Sequence, residues 1–101
     1  MITKKFLKTK PICKVTFKLP KEVVQNAGAV SVVGNFNNWN PQADVMKSRK
    51  DGSFSTTLNL PKDEQIQFRY LIDGQRWENE EAADAFLPTP YYDAQNSVLN
   101  L

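Results

Sequence analysis

An all-β sandwich of about seven short antiparallel strands is the fold this sequence predicts. Three observations carry the expectation. Apolar residues recur at every second position in several short runs, which is the period of a half-buried strand. Asp-Gly pairs at Asp51-Gly52 and Asp73-Gly74 supply the positive φ values of tight hairpin turns. No stretch sustains the 3.6-residue period of a long helix, so helices cannot form a layer.

Residues 1–11, beginning Met-Ile-Thr-Lys-Lys-Phe-Leu, are basic, lack clear periodicity and are closed by Pro11. They are expected to form a flexible arm, and residues 12–101 a single domain. Cys13, Val15, Phe17 and Leu19 alternate with Lys14, Thr16 and Lys18, giving a strand with a charged outer face that Pro20 ends. Lys21 to Gly28 is a connection with room for one helical turn at Glu22–Gln25. The β-branched run Val30-Ser31-Val32-Val33 packs well on a pleated surface and predicts a buried strand. Gly34-Asn35-Phe36-Asn37-Asn38-Trp39-Asn40-Pro41 then reads as a corner, because Gly and Asn tolerate positive φ and Pro cannot join a central ladder.

Val45 and Met46 centre a short third strand. The Asp51-Gly52 turn leads into Phe54, Thr56, Leu58 and Leu60, alternating with Ser55, Thr57 and Asn59 until Pro61. Ile66, Phe68, Tyr70 and Ile72 alternate with Gln67, Arg69 and Leu71 in the clearest strand of the chain, and the Asp73-Gly74 turn returns it through Arg76 and Trp77. Glu78 to Ala85 is acidic and alanine-rich, and Pro88 and Pro90 follow, so a solvated loop is expected there. Ser97 to Leu101 supplies the last strand.

The chain has 101 residues, enough for one modest core and too few for two ordinary domains. Its net charge of +2 is close to balance and argues against the basic footprint of a nucleic-acid binder. The single cysteine excludes an internal disulfide, and Cys13 lies on the apolar side of its strand, where a small buried hydrophobe is expected rather than a reactive thiol. The first ten residues lack the apolar core of a signal peptide, and no run approaches a membrane span. These features lead to the expectation of a cytoplasmic protein with no membrane and no nucleic-acid partner.

Catalytic chemistry is not expected. No histidine is present to serve as a base for Cys13 or a serine. The carboxylates of Glu78, Glu80, Glu81 and Asp84 cluster in one stretch, without the separation a glycosidase pair needs or the spacing and glycine of a calcium loop. No glycine motif cradles a phosphate. Neither a metal nor another cofactor is implied.

Binding chemistry has better candidates. Trp39 and Trp77 lie at strand ends beside turns, where a large ring is either a lid on the core or a docking surface. Arg69 falls on the opposite face of its strand from Phe68 and Tyr70 and is expected to point away from the core. Asn37, Asn38, Gln75 and Asn96 add amides, and Tyr91 and Tyr92 add aromatic surface. Flat rings stack on the C–H faces of sugars while amides and a guanidinium meet hydroxyls, a mixture that suits a neutral polyhydroxylated ligand.

The segments Val32-Val33-Gly34-Asn35-Phe36-Asn37-Asn38-Trp39, Asp51-Gly52-Ser53-Phe54 and Phe68-Arg69-Tyr70-Leu71-Ile72-Asp73-Gly74-Gln75-Arg76-Trp77, in this order, resemble the family 48 carbohydrate-binding modules. That family includes the glycogen-binding domain of the AMP-activated protein kinase β subunit and the early-set domain at the N-terminus of isoamylases. The resemblance spans about residues 12–101, and Trp77 to Pro88 with Asn96-Ser97-Val98 looks most like the isoamylase type. It implies an immunoglobulin-like (early-set) sandwich and a non-catalytic module for an α-1,4-linked glucan such as glycogen, starch or a maltooligosaccharide. It further implies that Trp39 and Trp77 stack on glucose units, that Arg69 stands where the family usually has a lysine that bonds sugar hydroxyls, and that Asn96 bonds the sugar. Tyr92 falls in the position of the loop that grips the glucan, and Asn38 neighbours the first tryptophan. Arg76 is an extra residue before Trp77 relative to the kinase domain. The second reading of the same scaffold is a protein-interaction module that associates with a separate glycogen- or starch-processing enzyme, or with itself, without binding sugar.

Overall fold

The computed structural model describes residues 1–89 and 94–101. In chain order the strands are β1 (Ile2–Phe6), β2 (Ile12–Leu19), β3 (Val30–Gly34), β4 (Lys47–Ser48), β5 (Phe54–Pro61), β6 (Gln65–Ile72), β7 (Arg76–Glu78), β8 (Ala85–Pro88) and β9 (Gln95–Asn100). A single helical turn, α1 (Lys21–Val24), follows β2, and a 3-10 turn spans Asn35–Asn37 after β3. The strands form two antiparallel sheets, β1-β2-β5-β4 and β3-β6-β9-β8, with β7 pairing alongside the far half of β6. Their inner faces close on one core, as a β-sandwich requires.

Alternation builds that core. Cys13, Val15, Phe17 and Leu19 enter it from β2, and Ile66, Phe68, Tyr70 and Ile72 from β6. Val30 and Val32 of β3, Phe54 and Leu60 of β5, Leu99 of β9, and Val24 and Met46 from the connections complete it. Phe17 sits at the centre, its ring 5.1 Å from that of Phe68 and 6.4 Å from that of Tyr70, both edge-on. Such pairs add directional preference to the burial of large apolar area. Cys13 is fully buried and unpaired, as its alternation implies.

Four local expectations are revised. Ile2–Phe6 is a strand, paired with β2 from Ile2↔Phe17 to Phe6↔Cys13, where a frayed arm was expected. Its inward position 4 is a lysine, which broke the apolar pattern; Lys4 Nζ instead reaches Asp84 Oδ2 at 2.6 Å. The third strand shifts to Lys47–Ser48. Residues 44–46 cling to β3 through Val32 N–H to Asp44 O and Met46 N–H to Val30 O before the chain crosses to pair with β5. Ala85–Pro88 is a strand that begins where the expected Glu78–Ala85 loop ends. It is an edge strand with every residue exposed, so it carries no buried alternation to read.

The fourth revision concerns the acidic stretch. Glu80, expected in a solvated loop, is 2% exposed. Its carboxylate accepts hydrogen bonds from the Tyr70 hydroxyl at 2.8 Å, the Ala82 N–H at 2.8 Å and the Met1 ammonium at 2.7 Å. Its own N–H donates to Ser97 Oγ, which in turn donates to Asn79 Oδ1. A buried carboxylate survives only with such a set of donors. Burial, reinforced by the Glu80 charge, pushes the Tyr70 phenol above its usual range, so it stays a donor.

Removing that donor tests the network. Tyr70→Phe is expected to lose about 1–3 kcal/mol of stability in urea unfolding, the cost of a buried charged acceptor left short of a partner. A loss below about 0.5 kcal/mol would show that Glu80 is satisfied without it.

Asp84 carries a pH signature. The Lys4 ammonium, and then the Asn100 N–H, hold its carboxyl below its ordinary value of 3.8. A lowered folded-state pKa stabilises above the unfolded value and is lost as pH falls through the folded one. Asp84→Asn is therefore expected to be less stable than the parent at neutral pH by up to about 1 kcal/mol, since the pair is partly solvated. The difference is expected to shrink as the pH is taken below 3.8 in a series of thermal melts.

Candidate functional site

The site begins on the outward face of β6. Paired residues of antiparallel strands point to the same side, so the Leu71↔Trp77 pairing puts Trp77 on the face of Gln67, Arg69 and Leu71. Val98, opposite Gln67, and Asn96 of β9 share that face. Val33, Leu71 and Val98 are buried yet stand outside the inter-sheet core cluster, forming an apolar floor on the outer side of the sheet.

Trp39 comes to this face from the corner after β3. Gly34 is extended (φ −163°), so its glycine is not needed for positive φ. It is needed for close approach. A Cβ there would lie 2.5 Å from the Gln67 carbonyl oxygen and 2.9 Å from Phe68 Cβ, contacts no side chain can make. The positive φ values fall instead on Asn38 (57°) and Trp39 (56°). Asn tolerates the left-handed region. For a bulky tryptophan it costs on the order of 1–2 kcal/mol and needs support from its surroundings.

The corner supplies that support through its asparagines. Asn37 Oδ1 accepts the Gly34 N–H at 3.0 Å, and its Nδ2 donates to Val32 O at 3.0 Å and Asp44 Oδ2 at 2.8 Å. The Trp39 N–H closes the loop on Gly34 O at 2.9 Å. Asn35 extends the sheet with its side chain: Oδ1 accepts the Gln67 N–H and Nδ2 donates to Gln65 O, as a strand residue would with its backbone. The Asp73 carboxylate anchors the other turn by accepting the Gly28 and Ala29 N–H groups.

Together these elements frame an open groove of about 850 Å³ lined by Asn35, Trp39, Gln67, Arg69, Trp77, Thr89 and Asn96. Trp39 is 39% and Trp77 43% exposed, so each ring has one solvent-facing surface and neither is a lid on the core. The Arg69 guanidinium carbon sits 5.3 Å from the Trp77 ring centroid, a cation–π distance that holds both groups in place. Arg69 Nε is buried without a hydrogen-bond partner. Asn96 Nδ2 donates to Gln67 Oε1 at 3.3 Å, placing two side-chain amides side by side. Among the described residues, nothing lining the groove is acidic.

Of the residues singled out from sequence, Trp39, Arg69, Trp77 and Asn96 are thus brought together. Asn38 is exposed beside the groove but does not line it; its left-handed backbone aims the next residue. Tyr92 lies outside the described residues. Arg76, the extra residue of the hairpin, leaves Trp77 on the Arg69 face. Its own guanidinium donates to Glu78 Oε1 and to Val23 O, each at 2.9 Å. Sequence reasoning missed Asn35, Gln67 and Thr89. Gln67 was legible, two residues before Arg69 on the same strand face; nothing in the sequence marks Thr89.

Gly34→Ala is expected to lower stability by about 3 kcal/mol, because the added methyl meets backbone rather than a movable side chain. Urea unfolding reads this directly, and a variant as stable as the parent would contradict the close approach at the corner.

A family model described as the glycogen recognition site of AMP-activated protein kinase matches residues 15–101. Among curated proteins, none matches the chain.

Proposed function

Because the chain belongs to the family of the glycogen recognition site of AMP-activated protein kinase, and is thus a glycogen-binding module, we propose that the groove on the outer face of β6 is where it holds the α-1,4-linked glucan. One observation carries the assignment: two half-exposed tryptophans, a guanidinium and a pair of amides, distant in sequence, line a single groove. Trp39 and Trp77 stack on the C–H faces of glucose units. Arg69, fixed over Trp77, donates to hydroxyls, and Asn96 and Gln67 offer both donors and acceptors. Asn35 and Thr89 extend the polar rim. Asn38 acts by setting the backbone that aims Trp39, and the family resemblance assigns Tyr92 to grip the glucan.

The module is read as non-catalytic. No histidine exists in the chain, and the groove's described lining has no carboxylate or thiol to serve as acid, base or nucleophile. Each stacked ring is worth on the order of 1–2 kcal/mol by analogy with base–aromatic stacking, which suits micromolar to millimolar affinity for a short oligosaccharide.

Titration of maltoheptaose, followed by tryptophan fluorescence and by indole and amide NMR signals, tests the reading. Shifts are expected at Trp39, Trp77, Gln67 and Asn96, and Trp39→Ala and Trp77→Ala are each expected to weaken binding about tenfold or more. Absence of any shift at millimolar maltoheptaose, or full affinity in both variants, would sink it.

A further inference from the structure

The charges of this near-neutral chain are sharply divided. Residues 1–62 hold eleven of its thirteen Lys and Arg but three of its eleven Asp and Glu. That stretch therefore carries eight excess positive charges and the remainder six negative ones, which together leave the net +2. All of β1, β2, β4 and β5 fall in the positive stretch, and none of these strands contains an acid. They make up the sheet on the other side of the sandwich from the groove.

Register arranges these charges into rows on the outer face. Lys5 lies directly opposite Lys14 in one row. Lys18 and Lys47 lie on either side of Ser55 in another. Between the two rows runs a hydroxyl row in which Thr16 Oγ1 meets Thr57 Oγ1 at 2.9 Å. With four residues from Lys14 to Lys18 along β2, the cationic rows stand about 13 Å apart.

Like charges directly opposite each other destabilise a sheet, and Lys5 against Lys14 has no acid across either strand to relieve it. The acids that might have served are used elsewhere. Glu80 is buried under Tyr70, Asp84 holds Lys4, Glu78 holds Arg76, and Asp73 caps the Gly28–Ala29 backbone. Asp51 at the hairpin tip stands 3.9 Å from Lys18 Nζ, at one end of this face. Solubility requires exposed charge, but it does not require two lysines placed directly opposite each other with no acid across either strand.

We propose that this outer face is a docking surface for an acidic protein, engaged while the opposite face holds glucan. Charge complementarity identifies the partner's chemistry: carboxylates that neutralise two lysine rows and accept hydrogen bonds from the hydroxyls between them. The rows present no aromatic ring on which a nucleic-acid base would stack and no large apolar side chain to enter a bilayer. The module thereby joins an acidic partner to glycogen, the two ligands separated by the thickness of the sandwich.

The test is a titration of the full ¹⁵N-labelled chain with poly-L-glutamate, with and without saturating maltoheptaose. Shifts confined to β1, β2, β4 and β5, unchanged by maltoheptaose and weakened about tenfold by raised salt, are expected. The triple variant Lys5→Glu, Lys14→Glu, Lys18→Glu is expected to abolish the shifts while leaving maltoheptaose affinity unchanged. Lys14→Gln, a milder change, is expected to weaken polyglutamate binding alone. Absent shifts, shifts centred on the groove face, or undiminished binding in the variants would overturn the proposal. So would tighter binding to phosphatidylserine vesicles or to single-stranded DNA at matched charge. Maltoheptaose binding is read separately in the same samples, so failure of the groove assignment and failure of this one are distinguishable.

Discussion

Strand β6 points successive side chains to opposite sides of its sheet, and both the stability and the chemistry of this module depend on that alternation. Ile66, Phe68, Tyr70 and Ile72 go inward, where Phe68 and Tyr70 close on Phe17 from the other sheet. Gln67, Arg69 and Leu71 go outward and start the groove. The strand is paired along one side by β3 and along the other by β9 and then β7, so its register is held at both ends. A slip of one residue would put Arg69 into the core and Phe68 into water. One backbone therefore carries both the core and the outer face that starts the groove.

The corner after β3 adds what an open sheet cannot offer, a ring lifted beside that face. Its asparagines divide the task. Asn37 ties the turn to β3 and to Asp44, Asn35 continues the ladder onto β6 with its side chain, and Asn38 enters the left-handed region first. Gly34 allows the turn to start against β6 without a side chain in the way. The remaining strain falls on Trp39, whose backbone is left-handed although its side chain is large. Strained backbone at a groove-lining residue is a common feature of sites whose geometry is set in advance.

The second half of the chain is knitted together by carboxylates. Glu80 gathers Tyr70, Ala82 and the Met1 ammonium in the interior, while Asp84 joins Lys4 of β1 to the Asn100 backbone of β9. Both link the two sheets at the side where β1 approaches β8 and β9. Acidic groups consumed in this way leave the facing pair Lys5 and Lys14 of the first sheet without an acid across either strand. The unequal charge of the two faces follows from that use.

Periodicity and turn chemistry are local, and what they determine was readable. The strands from Cys13 to Leu19, Val30 to Val33, Phe54 to Leu60 and Ile66 to Ile72, both Asp-Gly hairpins and the outward direction of Arg69 come from patterns a few residues long. The order of the corner and hairpin motifs carried the family. Other features were decided only by contacts between distant segments. β1 and β8 are edge strands without an apolar alternation to read, since the inward position 4 of β1 is a lysine and β8 is exposed at every residue. Glu80 looks like its solvated neighbours until Tyr70 and Ser97 close around it. Whether Trp39 and Trp77 were lids or docking surfaces, and that Asn35, Gln67 and Asn96 stand beside them, depended on β3, β6, β7 and β9 pairing in one register. Local sequence sets which side chains leave a strand on which face; only the assembled sheet sets which of them meet.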